Sequence, residues 1–189
     1  TTEWTQAETT GSMSTDSTAY TSAPQSLRFT AEADQSATLA TNLVGATAVK
    51  SLSISADFNW SGNVGVAPPW ATTARLMCLG VGNSRNCLTY SHGASGGEYA
   101  IEVMGACAAA FMTTCPVAAA PTAGVWTRIT MTATTNGALQ LTFNGVSVVT
   151  GCSAALCTGA TGLASLGYYQ AESSGYSFSY DNVQVTAQR

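Results

Sequence analysis

A chain of 189 residues with net charge −4, a single lysine and 8% charged side chains has no basic patch to neutralise phosphates, which sets aside nucleic acid and attraction to an anionic membrane surface. No apolar run approaches the roughly 20 residues that cross a bilayer as a helix. The surface must be built from Thr, Ser, Asn, Gly and Ala, a composition poor in strong helix formers and suited to sheets with small polar side chains facing outward.

The elements predicted along the chain are strands. The opening TTEWTQ, without Met, reads as a processed mature chain or an excised domain. Ser26–Thr30 alternates, with Leu27 and Phe29 on one face. Ser51–Trp60 alternates for its whole length, with Leu52, Ile54, Ala56, Phe58 and Trp60 opposite Ser51, Ser53, Ser55, Asp57 and Asn59, as a half-buried antiparallel strand does. Arg75–Gly82 and Cys87–Ser91 flank the stretch NSRN, which has the composition of a hairpin turn. Glu98–Met104 sets Tyr99, Ile101 and Val103 against Glu98, Ala100 and Glu102. Val125–Ala133 alternates again and reaches Asn136-Gly137, a strong hairpin signal before Ala138–Phe143. Asn144-Gly145 is a second such turn, leading to Val146–Thr150. Leu166–Gln170 and Tyr176–Thr186 close the chain. About ten strands with turns every 8–15 residues, no amphipathic helix and no linker predict one domain over 1–189, an all-β, two-sheet antiparallel sandwich.

Six cysteines fall in three sequential pairs. Their spacings are not those of a zinc site, and the one histidine, His92, adds little. The alternative is disulfides formed in an oxidising compartment. Nearest-neighbour pairing, Cys78–Cys87, Cys107–Cys115 and Cys152–Cys157, would staple three short loops of a secreted or cell-surface protein.

Three segments carry a resemblance. Gly124–Val149 (a Gly-x-Trp start, two strands and Asn-Gly turns), Tyr176–Thr186 (an aromatic run into Asp-Asn-Val) and Pro24–Ala31 together resemble the concanavalin A-like jelly rolls, the laminin-G-like group in particular. The resemblance implies a jelly-roll sandwich, an architecture that hosts lectins, glycan-binding modules, adhesion domains and glycoside hydrolases. It implies that Trp126 is a core residue. It also offers Asp181, at the late Asp-Asn-Val position, as a ligand for calcium, with Glu3, Asp34 or Asp57 to supply a further oxygen.

Two constellations carry chemistry. Trp70, Tyr90, His92 and Tyr99 crowd around the Cys78–Cys87 loop, whose tip brings Asn83, Arg85 and Asn86. Aromatic faces stack on sugar rings while amides and guanidinium bind hydroxyls, so these seven form a candidate glycan platform. Trp60, on the apolar face of its strand, reads as core. Glu98 and Glu102 lie on one strand face, and family-16 glycoside hydrolases of this fold carry Glu-x-Asp-x-Glu there. Here the central Asp is Ala100, which removes the group expected to tune the nucleophile and leaves two carboxylates on a solvated face as the plainer reading. No Gly-x-Ser-x-Gly elbow and no phosphate loop occur. The sequence therefore points to an extracellular, non-catalytic module that binds glycan or a cell-surface polysaccharide. The alternatives are a self-associating subunit of a surface assembly and a divergent glycoside hydrolase.

Overall fold

The computed structural model describes residues 4–9, 12–31, 36–62, 72–81, 84–93, 96–104, 112–152, 155–169 and 176–189. Among these there is no helix, and every sheet pairing is antiparallel. The first sheet, sheet A, runs in the order β1 (Thr5–Thr9), β4 (Ser36–Val44), β13 (Thr161–Tyr169), β6 (Thr72–Val81), β7 (Ser84–Gly93), β8 (Gly96–Met104), β9 (Met112–Pro116). The second, sheet B, runs β12 (Val146–Ser147), β11 (Leu139–Phe143), β10 (Thr127–Thr134), β5 (Ser51–Gly62), β14 (Tyr176–Gln188), β3 (Ser26–Ala31), β2 (Ser12–Asp16). The two pack as a sandwich.

Alternation explains which face each strand buries. On β5, Leu52, Ile54, Ala56 and Phe58 are all 0% exposed, while the serines and Asp57 between them are half-buried. β10 repeats the pattern, and its register sets Met131 opposite Ile54 and Ile129 opposite Ala56. Full burial of a Leu, Ile or Phe side chain contributes about 1.5–3 kcal/mol, so a one-residue slip of β5 against β10 would turn this whole row outward. An aromatic group fills the centre: Tyr180 meets Phe29 edge-on at 5.4 Å and Phe58 at 5.5 Å, and Phe58 stacks on Phe178 at 5.8 Å.

Both predicted Asn-Gly turns form. Gly137 (φ 90°) lies in the turn between β10 and β11, and Asn144 (φ 50°) with Gly145 (φ 81°) joins β11 to β12. Positive φ at both central residues is what a tight two-residue hairpin demands. The hairpin of β6 and β7 turns earlier than expected: Arg85 and Asn86 already belong to β7, so NSRN is not the tip.

The cysteine pairing departs from the nearest-neighbour expectation in two of three cases. Cys78–Cys87 forms, between directly opposed residues of β6 and β7 with Cα atoms 4.1 Å apart. Cys115 instead bonds Cys152, 37 residues on. That excludes both Cys107–Cys115 and Cys152–Cys157; Cys157 is itself disulfide-bonded, and Cys107 lies outside the described residues. The physical reason is topological. β9 is the edge strand of sheet A, and the chain after β12 passes this edge, with Ala118 N–H donating to Val148 O at 2.8 Å. Two distant cysteines thereby meet where the sheets approach each other.

Candidate functional site

The register across sheet A sorts its residues into two faces. Leu166, Met77, Leu88 and Ile101 stand in one row toward the core, each 0–1% exposed. The next row, Ser165, Cys78, Cys87 and Glu102, points to the outer face, followed by Arg75, Thr89 and Ala100. Outer-face residues of an antiparallel sheet are commonly solvated. Here Cys87 is 0% exposed, Thr89 1%, Ser165 5% and Cys78 6%. The outer face of sheet A is a sheltered floor of small side chains.

One charged pair stands on that floor. Arg75 Nε–H donates to Glu102 Oε2 at 3.4 Å, with Glu102 side chain 16% exposed and Arg75 40%. A bulge in β6 between Arg75 and Met77 sets Arg75 in place, because the register with β7 shifts there. Bulges re-aim side chains in this way. The extra residue, Leu76, turns its carbonyl inward, where the Tyr180 hydroxyl donates to it at 2.7 Å, with Gly167 O a second acceptor at 3.2 Å. The site's cation is thus anchored from the far sheet.

Three of the seven expected platform residues turn away from this face. Tyr90 (4% exposed) and Tyr99 (5%) lie on the core side, with rings 4.8 Å apart, and Trp60 meets Tyr90 at 5.6 Å. Burial pushes the Tyr99 phenol well above its ordinary pKa, Tyr90 beside it adding to the effect. Asn86 is 1% exposed and shares the core-facing row of Leu79 and Val103. These three cannot stack on or bond a ligand without opening the core. Strand alternation already put Tyr99 with Ile101 and Val103, which was the signal against it. Arg85 is exposed on β7, and His92 sits in β7 opposite Gly97. Trp70 and Asn83 lie outside the described residues. Arg75 and Thr89 carry no signal in the sequence: Arg75 owes its place to the bulge that follows it, and Thr89 is an ordinary strand threonine until the sheet forms.

Glu102 lies on the outer face of β8, and Glu98 stands four residues before it on the same strand. The β7–β8 register is unbroken from Arg85–Met104 to Gly93–Gly96, so their Cα atoms are about 13 Å apart along a regular strand. A retaining glycosidase needs its carboxyl groups about 5–5.5 Å apart, and Glu102 is engaged by Arg75. The ion pair with Arg75, not the strand spacing, is what distinguishes Glu102 from a free carboxylate.

Asp181 is a hydrogen-bonding hub. Its Oδ2 accepts from Ser22 N at 2.6 Å, Thr21 N at 2.8 Å and Thr21 Oγ1 at 3.1 Å, and its Oδ1 from Ser22 Oγ at 2.6 Å and Asn182 N at 2.7 Å. Burial acts to raise its pKa, but the bonds from Ser22, Thr21 and Asn182 overcome this and hold it at about 2. Neighbouring Asp57, opposite Asp181 in the register, accepts from Asn182 Nδ2 and Thr21 Oγ1 at 2.7 Å each and from Arg128 Nη1 at 3.3 Å. Oxygens committed to five N–H and O–H donors fit a structural anchor; calcium would need 6–8 oxygen ligands turned toward it. Among the described residues no group of three or more metal-ligating side chains occurs. Glu3 and Asp34 lie outside them. Trp126 departs from the core expectation: it is only half-buried and is not part of the core cluster.

No protein-family model matches the chain, and no curated protein matches it in sequence. Solved structures do. A cellulose-induced protein, Cip1, superposes with TM-score 0.69 at 11% identity, over 99% of this chain and 92% of that one. Alginate lyase AlyC3 gives 0.60 at 12% identity over 87% and 76%. The binding domain of botulinum neurotoxin DC, in complex with SialylT, gives 0.59 at 11% identity over 97% and 42%. The fold is that of the jelly-roll β-sandwiches, consistent with the concanavalin A-like arrangement. Among the described residues no helix is long and apolar enough to cross a membrane.

Proposed function

We propose that the chain is a secreted, non-catalytic glycan-binding module that takes a polysaccharide on the outer face of sheet A, gripped by Arg75 with Glu102 as its orienting partner. The observation that carries the reading is the Arg75–Glu102 pair: on a face that points away from the core, the guanidinium is 40% exposed and held at 3.4 Å from the carboxylate. A partly exposed, positioned guanidinium suits a chain of hydroxyls, since the fork donates in fixed directions. The disulfides suit an oxidising compartment. Named neighbours of the same fold include a toxin binding domain in complex with SialylT and an alginate lyase in complex with dimannuronate, so both recognition and cleavage of saccharides occur on this scaffold.

A cleaving reading has one observation in its favour, the likeness to alginate lyases over 87% of the chain. Affinity electrophoresis of the oxidised protein through gels carrying a panel of neutral and acidic polysaccharides tests both. Retardation without a rise in ultraviolet absorbance from unsaturated products supports the binding module. Product absorbance supports a lyase. Unretarded migration and no product across the panel contradict both.

A further inference from the structure

The tripeptide Asn59-Trp60-Ser61 has the Asn-x-Ser pattern that accepts N-linked glycan, and none of the other seven asparagines begins one. Alternation on β5 places Asn59 on the outer face of sheet B, between core-facing Phe58 (0% exposed) and Trp60 (9%). The two ends of its amide differ. Oδ1 is buried without a hydrogen-bond partner, whereas Nδ2 is not among the buried unpartnered atoms and makes no hydrogen bond among the described residues. The side chain therefore turns its nitrogen outward, and that nitrogen is the atom a glycan is attached to. The middle residue does not crowd it, since Trp60 lies inward with its Nε1–H donating to Pro121 O at 3.2 Å.

A second observation concerns what lies beside that nitrogen. β10 pairs Thr127 with Phe58, where the ladder ends, and Trp126 leads into β10 beside the strand residue that precedes Asn59. Trp126 is half-buried and stands outside the core cluster, so the core gives no reason for a tryptophan there. An indole offers a flat apolar face with a polar edge, which matches the C–H face of a pyranose ring.

We infer that Asn59 is an N-glycosylation site and that Trp126 packs against the first sugar. The co-reactant is a lipid pyrophosphate-linked oligosaccharide. The bond between sugar C1 and the pyrophosphate oxygen breaks, Nδ2 loses a proton, the Nδ2–C1 bond forms, and the lipid pyrophosphate leaves; nothing is oxidised or reduced. Transfer to the growing chain takes place in the compartment that forms disulfides, so the strand position of Asn59 is no obstacle before folding. The glycan stands on sheet B and leaves the outer face of sheet A uncovered, which makes the inference independent of the proposed glycan-binding role.

The test is secretion of the full chain from a eukaryotic host, with intact mass measured before and after peptide N-glycosidase. The expected result is a glycan mass that the enzyme removes, mapped by peptide mass spectrometry to residue 59, abolished in Asn59→Gln and in Ser61→Ala, and increased in occupancy by Ser61→Thr. Secreted, disulfide-intact protein with unmodified Asn59 overturns the site. Trp126→Ala should keep the modification and lower the Tm of the glycosylated form by a few degrees more than that of the enzyme-treated form. An equal drop in both forms overturns the packing of the sugar on Trp126.

Discussion

Tyr180 of sheet B donates its hydroxyl to Leu76 O of sheet A at 2.7 Å, across the interior of the sandwich. Leu76 is the extra residue of the β6 bulge, and Arg75 precedes it. A buried phenol therefore fixes the backbone that aims Arg75 from the outer face of sheet A. The hydroxyl is fully buried, and burial raises its pKa well above the ordinary value, so it remains a donor throughout the accessible pH range.

Tyr180→Phe removes the donor and keeps the ring. Leu76 O then loses its bond in a dry interior, at a cost of about 1–3 kcal/mol, or on the order of 2–10 °C in Tm for a chain of this size. Polysaccharide affinity should fall as well, because the bulge relaxes. Differential scanning calorimetry and affinity electrophoresis on the same variant read the two effects.

Acid should weaken the fold through Asp181. Its folded pKa, about 2, lies below the ordinary 3.8, and Asp57 is shifted the same way: burial opposes the shift, and the bonds from Asn182, Thr21 and Arg128 outweigh it. A depressed carboxylate contributes stability that is fully present above its unfolded pKa and is lost as pH falls through the folded one. Tm should therefore be level near neutral pH and fall between about pH 4 and pH 2. Asp181→Asn turns an N–H₂ toward the N–H and O–H donors of Thr21 and Ser22 or Asn182, and should lower Tm at neutral pH by on the order of 5–10 °C while flattening that acid slope. Calcium at millimolar concentration should leave the Tm of the parent unchanged.

The two described disulfides should differ in weight. Cys115–Cys152 closes a loop of 37 residues' separation and Cys78–Cys87 one of 9. Loop-entropy reasoning gives about 4 kcal/mol for the first and about 3 for the second. Replacing both cysteines of each pair by alanine and comparing urea midpoints should show the larger loss for Cys115–Cys152.

Gly45 gives a test of packing near the C-terminal residue. A Cβ at Gly45 would run into the Arg189 guanidinium, which donates to Leu43 O at 2.7 Å, Thr47 O at 2.6 Å and Ala160 O at 2.9 Å. Gly45→Ala should displace this clamp and cost a few degrees in Tm. In an Arg189→Ala background the same change should cost little, the mark of two coupled positions.

The sandwich was legible because the central strands alternate cleanly. Ser51–Trp60 and Thr127–Ala133 declare their faces residue by residue, and Asn-Gly marks both turns of the β10–β12 meander. Three edge strands, β1, β2 and β9, and the interior strand β4 were not legible. β2 (Ser12–Asp16) carries one apolar side chain, Met13, and an edge with polar residues on both faces leaves no periodic signal. Cys115–Cys152 escaped because sheet order, not spacing along the chain, brings its halves together. The aromatic platform failed at Tyr90 and Tyr99 because clustering in sequence says nothing about which face a strand residue takes. The floor beneath Arg75 is invisible in sequence, since Thr89 and Ser165 are ordinary strand residues until the register aligns them.

The most direct test of the glycan-binding account is to measure retardation of the parent, Arg75→Ala and Arg28→Ala in gels carrying the polysaccharide that retards the parent most. Arg28 is a cation of comparable exposure, 42% against 40%, on sheet B. The account predicts that Arg75→Ala weakens binding by roughly tenfold or more, about 1.4 kcal/mol, while Arg28→Ala binds like the parent. Equal binding by the parent and Arg75→Ala, or loss confined to Arg28→Ala, would contradict it.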